Sequence, residues 1–142
     1  ERGEHDEKVL RERVDGALRM VDLPGTEEML PADLSGGMRK RVGLARAVVQ
    51  SPEVLLFDEP TTGLDPINVR RIDELILSLR RQFGLTSIVV THDLPSAYLL
   101  SDRVAMLAQH RIVEVSPLAV FRKSSAPEVR AFLDAMKEPV AQ

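Results

Sequence analysis

Residues 34–66 read LSGGMRKRVGLARAVVQSPEVLLFDEPTTGLDP, and this stretch decides the fold. A Ser-Gly-Gly turn stands where a helix can begin, and an unbroken apolar run follows at residues 54–57. Two carboxylates come directly after that run, and an Asp-Pro pair then supplies an N-cap followed by proline at the first helical position. The polar residues therefore stand where the helices and strands of an α/β fold begin and end.

Composition limits the class of protein. The 142 residues are about the size of one domain, and 44% hydrophobic content is enough for a packed core. A formal net charge of −3 argues against nucleic acid as the main partner, because phosphate binding usually requires a basic surface. The absence of cysteine excludes disulfides and thiolate chemistry. No apolar run approaches the roughly 20 residues that a membrane helix needs.

Hydrophobic patterning around this stretch predicts an alternation of helices and strands. We expect helices at residues 6–21, 36–50, 66–83 and 94–100, with Asp6 as the first N-cap, and two final helices opened by Ser116-Pro117 and Ala126-Pro127. The apolar runs at 54–57 and 87–90 predict strands buried on both faces, and residues 103–108 and 111–115 predict two more strands. This succession predicts an α/β fold with a mostly parallel sheet.

Asp58 and Glu59 are the first candidates for chemistry. They follow an apolar strand, and the carboxyl ends of strands form the ligand-binding edge of open α/β sheets. One carboxylate could hold Mg²⁺, and the other could position and polarise an attacking water. By itself, a strand end that turns into solvent would explain the pair equally well.

Three other positions have a functional and a structural explanation. Ser35, Gly36 and Gly37 could bind a phosphate, because the free N–H groups at a helix start attract anions, or Ser35 could be an ordinary cap. His92 follows the second apolar strand and could donate to a phosphate oxygen, or it could be structural. Asp65 could be a helix cap and nothing more.

The chain resembles the ATPase subunits of ABC transporters over almost its whole length. The resemblance rests on the order of four motifs: LSGG, the apolar run with DEP, GLDP and THD. The resemblance implies a P-loop NTPase type of parallel sheet with flanking helices, and ATP and Mg²⁺ as ligands. It implies that Asp58 holds Mg²⁺ through water, that Glu59 is the catalytic base and that His92 contacts the γ-phosphate. Two such subunits enclose two ATP molecules between them. The resemblance therefore implies that four residues contact the nucleotide of the opposite subunit, namely Ser35, Gly36, Gly37 and Met38. It also implies that Asp65 acts across the dimer interface.

Within this family the chain is most similar to the Mla or Mce-associated phospholipid-transport ATPases. The similar segments are LSGGMRKRVGLARAV, with Met38 where many relatives have Gln, THDLPSAYLLSDRVAMLAQHRIV, and PEVRAFLDA. This similarity implies a second ATPase subunit as a homodimer partner and a transmembrane permease subunit. It also implies a peripheral position at the cytoplasmic face of the bacterial inner membrane, with membrane contact only through the permease. Gln109-His110 and Val115 stand where relatives often carry glycines, so the hairpin before Arg111 is expected to differ.

The Walker A loop of the family, GxxxxGK[ST], has no counterpart in the sequence. Lysine occurs only at positions 8, 40, 123 and 137, and none follows a glycine. We therefore expect the C-terminal part of a subunit, with residues 1–34 in the helical subdomain and 35–142 in the RecA-like core with its C-terminal helices. Without the Walker A strand, the fold should be incomplete, and residues 87–90 should form an unpaired apolar edge of the sheet. Without the Walker A loop, the chain alone should bind ATP poorly.

Two alternative functions remain open at this point. The first is an ABC ATPase without a membrane partner, although the acidic balance, the lack of long coiled-coil arms and the transporter-like tail from Asp102 argue against it. The second is a non-catalytic interaction fragment that supplies its LSGG and GLDP surfaces to a complete partner.

Overall fold

The structure is a computed structural model that describes residues 2–136. The helices and strands in chain order are α1 (Arg2–Met20), α2 (Gly36–Val48), β1 (Val54–Asp58), α3 (Pro66–Phe83), β2 (Thr86–Val90), α4 (Leu94–Leu100), β3 (Arg103–Ala108), β4 (Arg111–Pro117), α5 (Leu118–Phe121) and α6 (Pro127–Ala135), with a 3₁₀ turn at Pro31–Asp33 before α2. The chain divides into two compact units, Glu1–Thr91 and His92–Gln142. The predicted subdomain boundary between residues 34 and 35 is a different division, and it stays a prediction.

The first unit contains a parallel strand-helix-strand arrangement. Strands β1 and β2 pair in parallel, with Leu56 opposite Ile88 and Asp58 opposite Val90. Helix α3 makes the crossover that a parallel pair requires. This arrangement confirms the predicted α/β class, and it brings the ends of β1 and β2 to the same edge of the sheet.

Helix α3 follows from local sequence signals. The carboxylate of Asp65 accepts hydrogen bonds from the backbone N–H groups of Ile67 and Asn68, and Pro66 occupies the first helical turn. Gly84 ends the helix with φ at 61°, a left-handed conformation that glycine adopts without strain. The hydrophobic pattern of the helix predicts an apolar face of Ile72, Leu75, Ile76, Leu79 and Phe83; the first four are buried, and Phe83 is half-buried.

The prediction that β1 and β2 are buried on both faces is wrong. Leu55 and Phe57 are buried, whereas the exposed fractions of Leu56 and Ile88 are 74% and 56%. Successive side chains of a strand point to opposite faces, so packing against one face leaves every second residue in solvent. The expected free edge is present, since within residues 2–136 strand β2 pairs with β1 alone.

The prediction that Asp6 caps the first helix is also wrong. Helix α1 begins at Arg2, so Asp6 lies inside it, where its helical backbone cannot serve as an N-cap. The hydrophobic pattern predicts an apolar face of Leu10, Val14, Ala17, Leu18 and Val21. It is buried only towards its C-terminal end, at Ala17, Leu18 and Val21, while Leu10 is 59% exposed.

Two arginines connect the end of α1 with α2 and α3. Arg41 donates to the carbonyl oxygens of Val21 and Asp22 over 3.2 and 3.0 Å, and Arg71 lies 3.2 Å from the Asp22 carboxylate. Burial and the nearby charge of Arg71 lower the pKa of Arg41, and Asp22 partly opposes this shift. These contacts fix the turn after α1, in which Asp22 has a φ of 56°.

The second unit is built on a hairpin. Strands β3 and β4 confirm the two later strand predictions, but they pair antiparallel in a separate two-stranded sheet. Val104 and Met106 pack against a core of three buried residues, Phe121, Val129 and Leu133. Among residues 2–136, no helix combines the length and apolar character needed to cross a bilayer.

Both residues of the hairpin turn have positive φ angles. Gln109 has a φ of 50° and His110 a φ of 61°. Two-residue hairpins with this geometry strongly favour Asn-Gly or Gly-Gly, because only a few residue types tolerate a left-handed backbone. The turn is therefore formed at a cost in strain.

Candidate functional site

Ser35 starts helix α2 and defines what we call the signature turn, residues 35–37. Its hydroxyl oxygen accepts a hydrogen bond from the N–H of Met38 over 3.2 Å, as an N-cap does. Gly36 and Gly37 are the first two helical residues, whose N–H groups have no acceptor within the helix. Ser35 and Gly36 are exposed, so this helix start can approach an anion.

The two glycines of the signature turn have different surroundings. A Cβ atom placed on Gly36 would meet nothing within 4 Å. A Cβ atom placed on Gly37 would lie 3.2 Å from Oδ1 of Asn68, a contact tighter than ordinary van der Waals distance. Gly36 is therefore open to another molecule, whereas Gly37 lets the first turn of α3 approach α2.

Asp65 is the N-cap of α3, and its carboxylate is held by three donors. Oδ1 accepts from the N–H groups of Ile67 and Asn68 over 3.0 and 3.1 Å, and Oδ2 accepts from the Asn68 side-chain amide. These bonds, the one from the Asn68 side chain first, lower the pKa of Asp65 below the usual 3.8. The carboxylate is exposed, ionised and oriented.

Asp58 and Glu59 lie at the carboxyl end of β1, as the sequence predicts. Asp58 is the last strand residue and points to the exposed face of the sheet. The N–H of Glu59 donates to the carbonyl of Val90 over 2.9 Å, which extends the pairing with β2 by one residue. Glu59 then leaves the strand with a φ of 47°, so its side chain does not continue the alternation.

Two neighbours hold Glu59 in this unusual conformation. The hydroxyl of Thr62 donates to its carboxylate Oε2 over 2.8 Å, and the ammonium of Lys40 donates to its backbone carbonyl over 3.2 Å. A left-handed non-glycine residue at a strand end costs on the order of 1–3 kcal/mol, and such residues cluster at functional sites. Glu59 is half-buried. Its geometry suits a base that must point in one direction.

His92 lies in the second unit, two residues before the start of α4, and its side chain is exposed. The next residue, Asp93, caps α4 by accepting from the N–H of Ser96 over 2.8 Å. Asp93 thereby fixes the local backbone beside His92. The remaining predicted site residues, Met38 included, lie in the first unit.

A Mg²⁺ ion at this site would have one or two carboxylate ligands from the chain, with Asp58 as the candidate. Residues 2–136 contain no group of three or more His, Cys, Asp or Glu side chains that could bind a metal by themselves. Mg²⁺ often uses only one or two carboxylates and completes its shell with water and substrate phosphates. Asp58, exposed at the strand end, is chemically suited to that kind of site.

Three residues at this site carry contacts that the motifs do not name: Lys40, Thr62 and Asn68. Asn68 and Thr62 each stand three residues after their partner. Asn68 is at position N3 of α3, from which a side chain can reach the N-cap residue, so the spacing was a usable signal for Asn68. Lys40 is 19 residues from Glu59, and nothing in the local sequence indicates that contact.

Comparisons with known proteins show which families and structures the chain resembles. Residues 3–62 match the family model described as "ABC transporter". The "Probable ribonucleotide transport ATP-binding protein mkl" of Mycobacterium leprae is 40% identical over 128 residues, which are 90% of this chain and 37% of that protein. The "Methionine import ATP-binding protein MetN" of Geobacillus kaustophilus is 40% identical over 128 residues, which are 89% of this chain and 37% of that protein.

A solved structure gives the same result. The dimeric ATP-binding cassette MJ0796, in a post-hydrolysis state bound to ADP and Pi, matches with a TM-score of 0.67 and 33% sequence identity. The match covers 76% of this chain and 47% of that chain.

These findings indicate the fold of an ATP-binding cassette, and they show that the chain is similar to ABC transporter ATP-binding proteins. It spans about 37% of the length of the two curated relatives. The relatives' names give ribonucleotide transport and methionine import, and neither gives phospholipid transport.

Proposed function

We propose that this chain belongs to the ATPase subunit of an ABC transporter, which couples ATP binding and hydrolysis at a subunit dimer interface to transport. The observation that carries the proposal is the arrangement of two oriented helix starts in one unit. Ser35 caps one, Asp65 caps the other, and the side chain of Asn68 lies between Asp65 and Gly37. Exposed helix starts of this kind suit a nucleotide held by a second subunit.

In this proposal the signature turn, together with Met38, contacts the nucleotide of the opposite subunit. The N–H groups of Gly36 and Gly37, which have no acceptor within the helix, are donors for phosphate oxygens, and the Ser35 hydroxyl is a further polar contact. Asp65 acts across the same interface. Such preorganised donors favour the transition state because they need no reorientation when charge develops.

Glu59 is proposed as the catalytic base for the nucleotide of its own subunit. Its carboxylate accepts from Thr62, and Lys40 holds its carbonyl, so the side chain is oriented before a water arrives. A positioned base of this kind contributes about 10²–10⁴-fold in rate. His92 is proposed to contact the γ-phosphate.

Asp58 is the residue proposed to hold Mg²⁺, through a water molecule. The ion, when bound, would neutralise charge on the β- and γ-phosphates of ATP. Asp58 can serve this role because its side chain is exposed at the end of β1, beside Glu59.

The proposed assembly is a homodimer of ATPase subunits bound to a transmembrane permease, peripheral at the cytoplasmic face of the bacterial inner membrane. The dimeric state of the MJ0796 cassette supports the homodimer. Phospholipid is proposed as the cargo from the sequence motifs alone. Ribonucleotide and methionine, which the relatives' names give, are the alternatives to measure against it.

A mixed-dimer experiment tests whether the signature turn completes the nucleotide site of a second subunit, as both the ATPase-subunit proposal and the interaction-fragment alternative require. The chain is added to a complete ABC ATPase subunit whose own signature serine has been replaced, and ATP hydrolysis is measured. We expect the chain to restore hydrolysis, because Ser35, Gly36 and Gly37 complete the site on the partner. The matched control is Ser78→Ala, an exposed serine of α3 outside the site that should restore hydrolysis like the original chain. The proposal is wrong if the chain restores nothing, or if Ser35→Ala restores as much as the original chain.

A further inference from the structure

We propose that Asn68 is a positioning residue that holds the signature turn and the Asp65 carboxylate in a fixed arrangement relative to each other. This inference rests on the proposed function for what the surface contacts, namely the nucleotide of the opposite subunit. Its geometric basis lies entirely within the first unit, and no motif of the sequence assigns a role to this residue.

Asn68 controls the orientation of the Asp65 carboxylate. Its backbone N–H donates to Oδ1 of Asp65 over 3.1 Å, and its side-chain amide donates to Oδ2. A carboxylate that is bonded at both oxygens by one residue cannot rotate about its last torsion without breaking a bond. Asn68 therefore determines where Asp65 points.

The other end of the same amide faces Gly37. A carboxylate can only accept hydrogen bonds, so Nδ2 must face Asp65, and Oδ1 is left on the side of Gly37. A Cβ atom on Gly37 would lie 3.2 Å from that oxygen and 3.5 Å from Cγ. One planar side chain thus spans the gap between the starts of α2 and α3.

The two glycines of the signature turn consequently have separate tasks. A Cβ atom on Gly36 would have no neighbour within 4 Å, so its side is open to a ligand from outside. At Gly37, the space that a Cβ atom would enter lies against the Asn68 side chain. A Cβ atom at position 37 would require Asn68 to shift by a few tenths of an ångström, and a displacement of the signature turn would be passed to Asp65 through Asn68.

The mixed dimer described above tests the functional half of the inference. We expect Asn68→Ala and Asn68→Asp to lower the turnover of ATP about tenfold, because displaced donor groups are costly at a reacting centre. The KM for ATP should change little, since the partner subunit holds the nucleotide. Asn68→Thr, which keeps a short donor near Asp65, should restore part of the turnover. Gln82→Ala, an exposed amide near the far end of α3, is the matched control.

A double-mutant cycle on the chain alone tests the geometric half. Gly37→Ala should lower the urea midpoint in the original chain but raise it in the Asn68→Ala background, where the new methyl group finds space. Gly36→Ala should raise the midpoint equally in both backgrounds, because alanine favours helix and meets no neighbour.

The outcomes separate the inference from the proposed function. If the original chain restores no hydrolysis, the proposed function fails, and the cycle still decides whether Asn68 and Gly37 are coupled. If Gly37→Ala has the same effect in both backgrounds, or if hydrolysis is restored equally with Asn68→Ala, the positioning role of Asn68 is overturned.

Discussion

The ammonium of Lys40 donates a hydrogen bond to the backbone carbonyl of Glu59 over 3.2 Å. This contact joins helix α2 to the end of strand β1. In the proposed dimer, α2 begins at the nucleotide of the opposite subunit, whereas Glu59 serves the nucleotide of its own subunit. Lys40 therefore connects elements that belong to two different ATP sites.

Replacing Lys40 by Met should destabilise the chain by about 1 kcal/mol, the usual net value of an intramolecular hydrogen bond. The methionine keeps the apolar stem and removes only the donor. Urea unfolding of the chain measures the change. Lys8→Met, at an exposed position in α1, is the control and should lie within about 0.5 kcal/mol of the original chain. Equal effects of the two changes would contradict the structural role of Lys40.

At position 59, glycine should give a more stable chain than alanine. At a φ of 47°, alanine carries about 1–2 kcal/mol of strain that glycine avoids. We therefore expect Glu59→Gly to be more stable than Glu59→Ala in denaturant unfolding, although both remove the proposed base. At Glu53, which has no positive φ, the order should reverse, because glycine loses more backbone entropy on folding.

Leu55 and Leu56 are neighbours of the same type on opposite faces of β1. Leu55 is 6% exposed and Leu56 is 74% exposed. Leu55→Ala should cost about 2–5 kcal/mol of unfolding free energy, as buried leucines do, whereas Leu56→Ala should cost well under about 1 kcal/mol. Chemical denaturation of the pair decides this. A cost at Leu56 similar to that at Leu55 would mean that the outer face of the sheet is covered.

The exposed face should also limit solubility. Val54, Leu56, Ile88 and Val90 are each at least half exposed and lie on one face of a two-stranded sheet with a free edge. Such surfaces promote association. Replacing Leu56 and Ile88 by Thr should raise the concentration at which light scattering first appears. The same change at one exposed residue of the second unit, Val120→Thr, is the control.

The turn of the β3–β4 hairpin should accept a better sequence. Changing Gln109-His110 to Asn-Gly replaces two residues in left-handed conformations by residues that favour them. We expect a gain of about 1–2 kcal/mol in the free energy of unfolding. Gly-Gly should gain less, because it leaves the unfolded chain more flexible. A loss of stability with Asn-Gly would contradict the turn geometry.

Asp65 should contribute to a pH dependence of stability. Its pKa is lowered in the folded chain, chiefly by Asn68, so its stabilising effect is present above the usual pKa of 3.8 and is lost as the pH falls through the folded pKa. In Asn68→Ala the folded pKa should rise towards 3.8, and the loss of stability in acid should shrink. Carboxyl NMR titration of Asp65 measures the pKa in both chains. An unchanged pKa would exclude Asn68 as the cause.

Local signals in the sequence predicted the elements that carry the site. The boundaries of α3 follow from Asp65, Pro66 and Gly84, and α4 begins directly after Asp93 as expected. Each of these signals acts within about four residues, which is why a linear pattern reveals it. Burial was predicted less well. The apolar run at residues 54–57 indicates a strand, but how many of its faces are covered depends on which layers pack against it.

The sequence by itself determined the α/β class and the order of the motifs, and it predicted the chemistry of each motif. Only the tertiary structure decided which residues orient those motifs: Asn68 between Gly37 and Asp65, Lys40 on the carbonyl of Glu59, and the left-handed backbone of Glu59 itself. The physical reason is distance along the chain. A cap or a turn is formed by adjacent residues, whereas contacts between α2, α3 and β1 exist only after these elements have packed together.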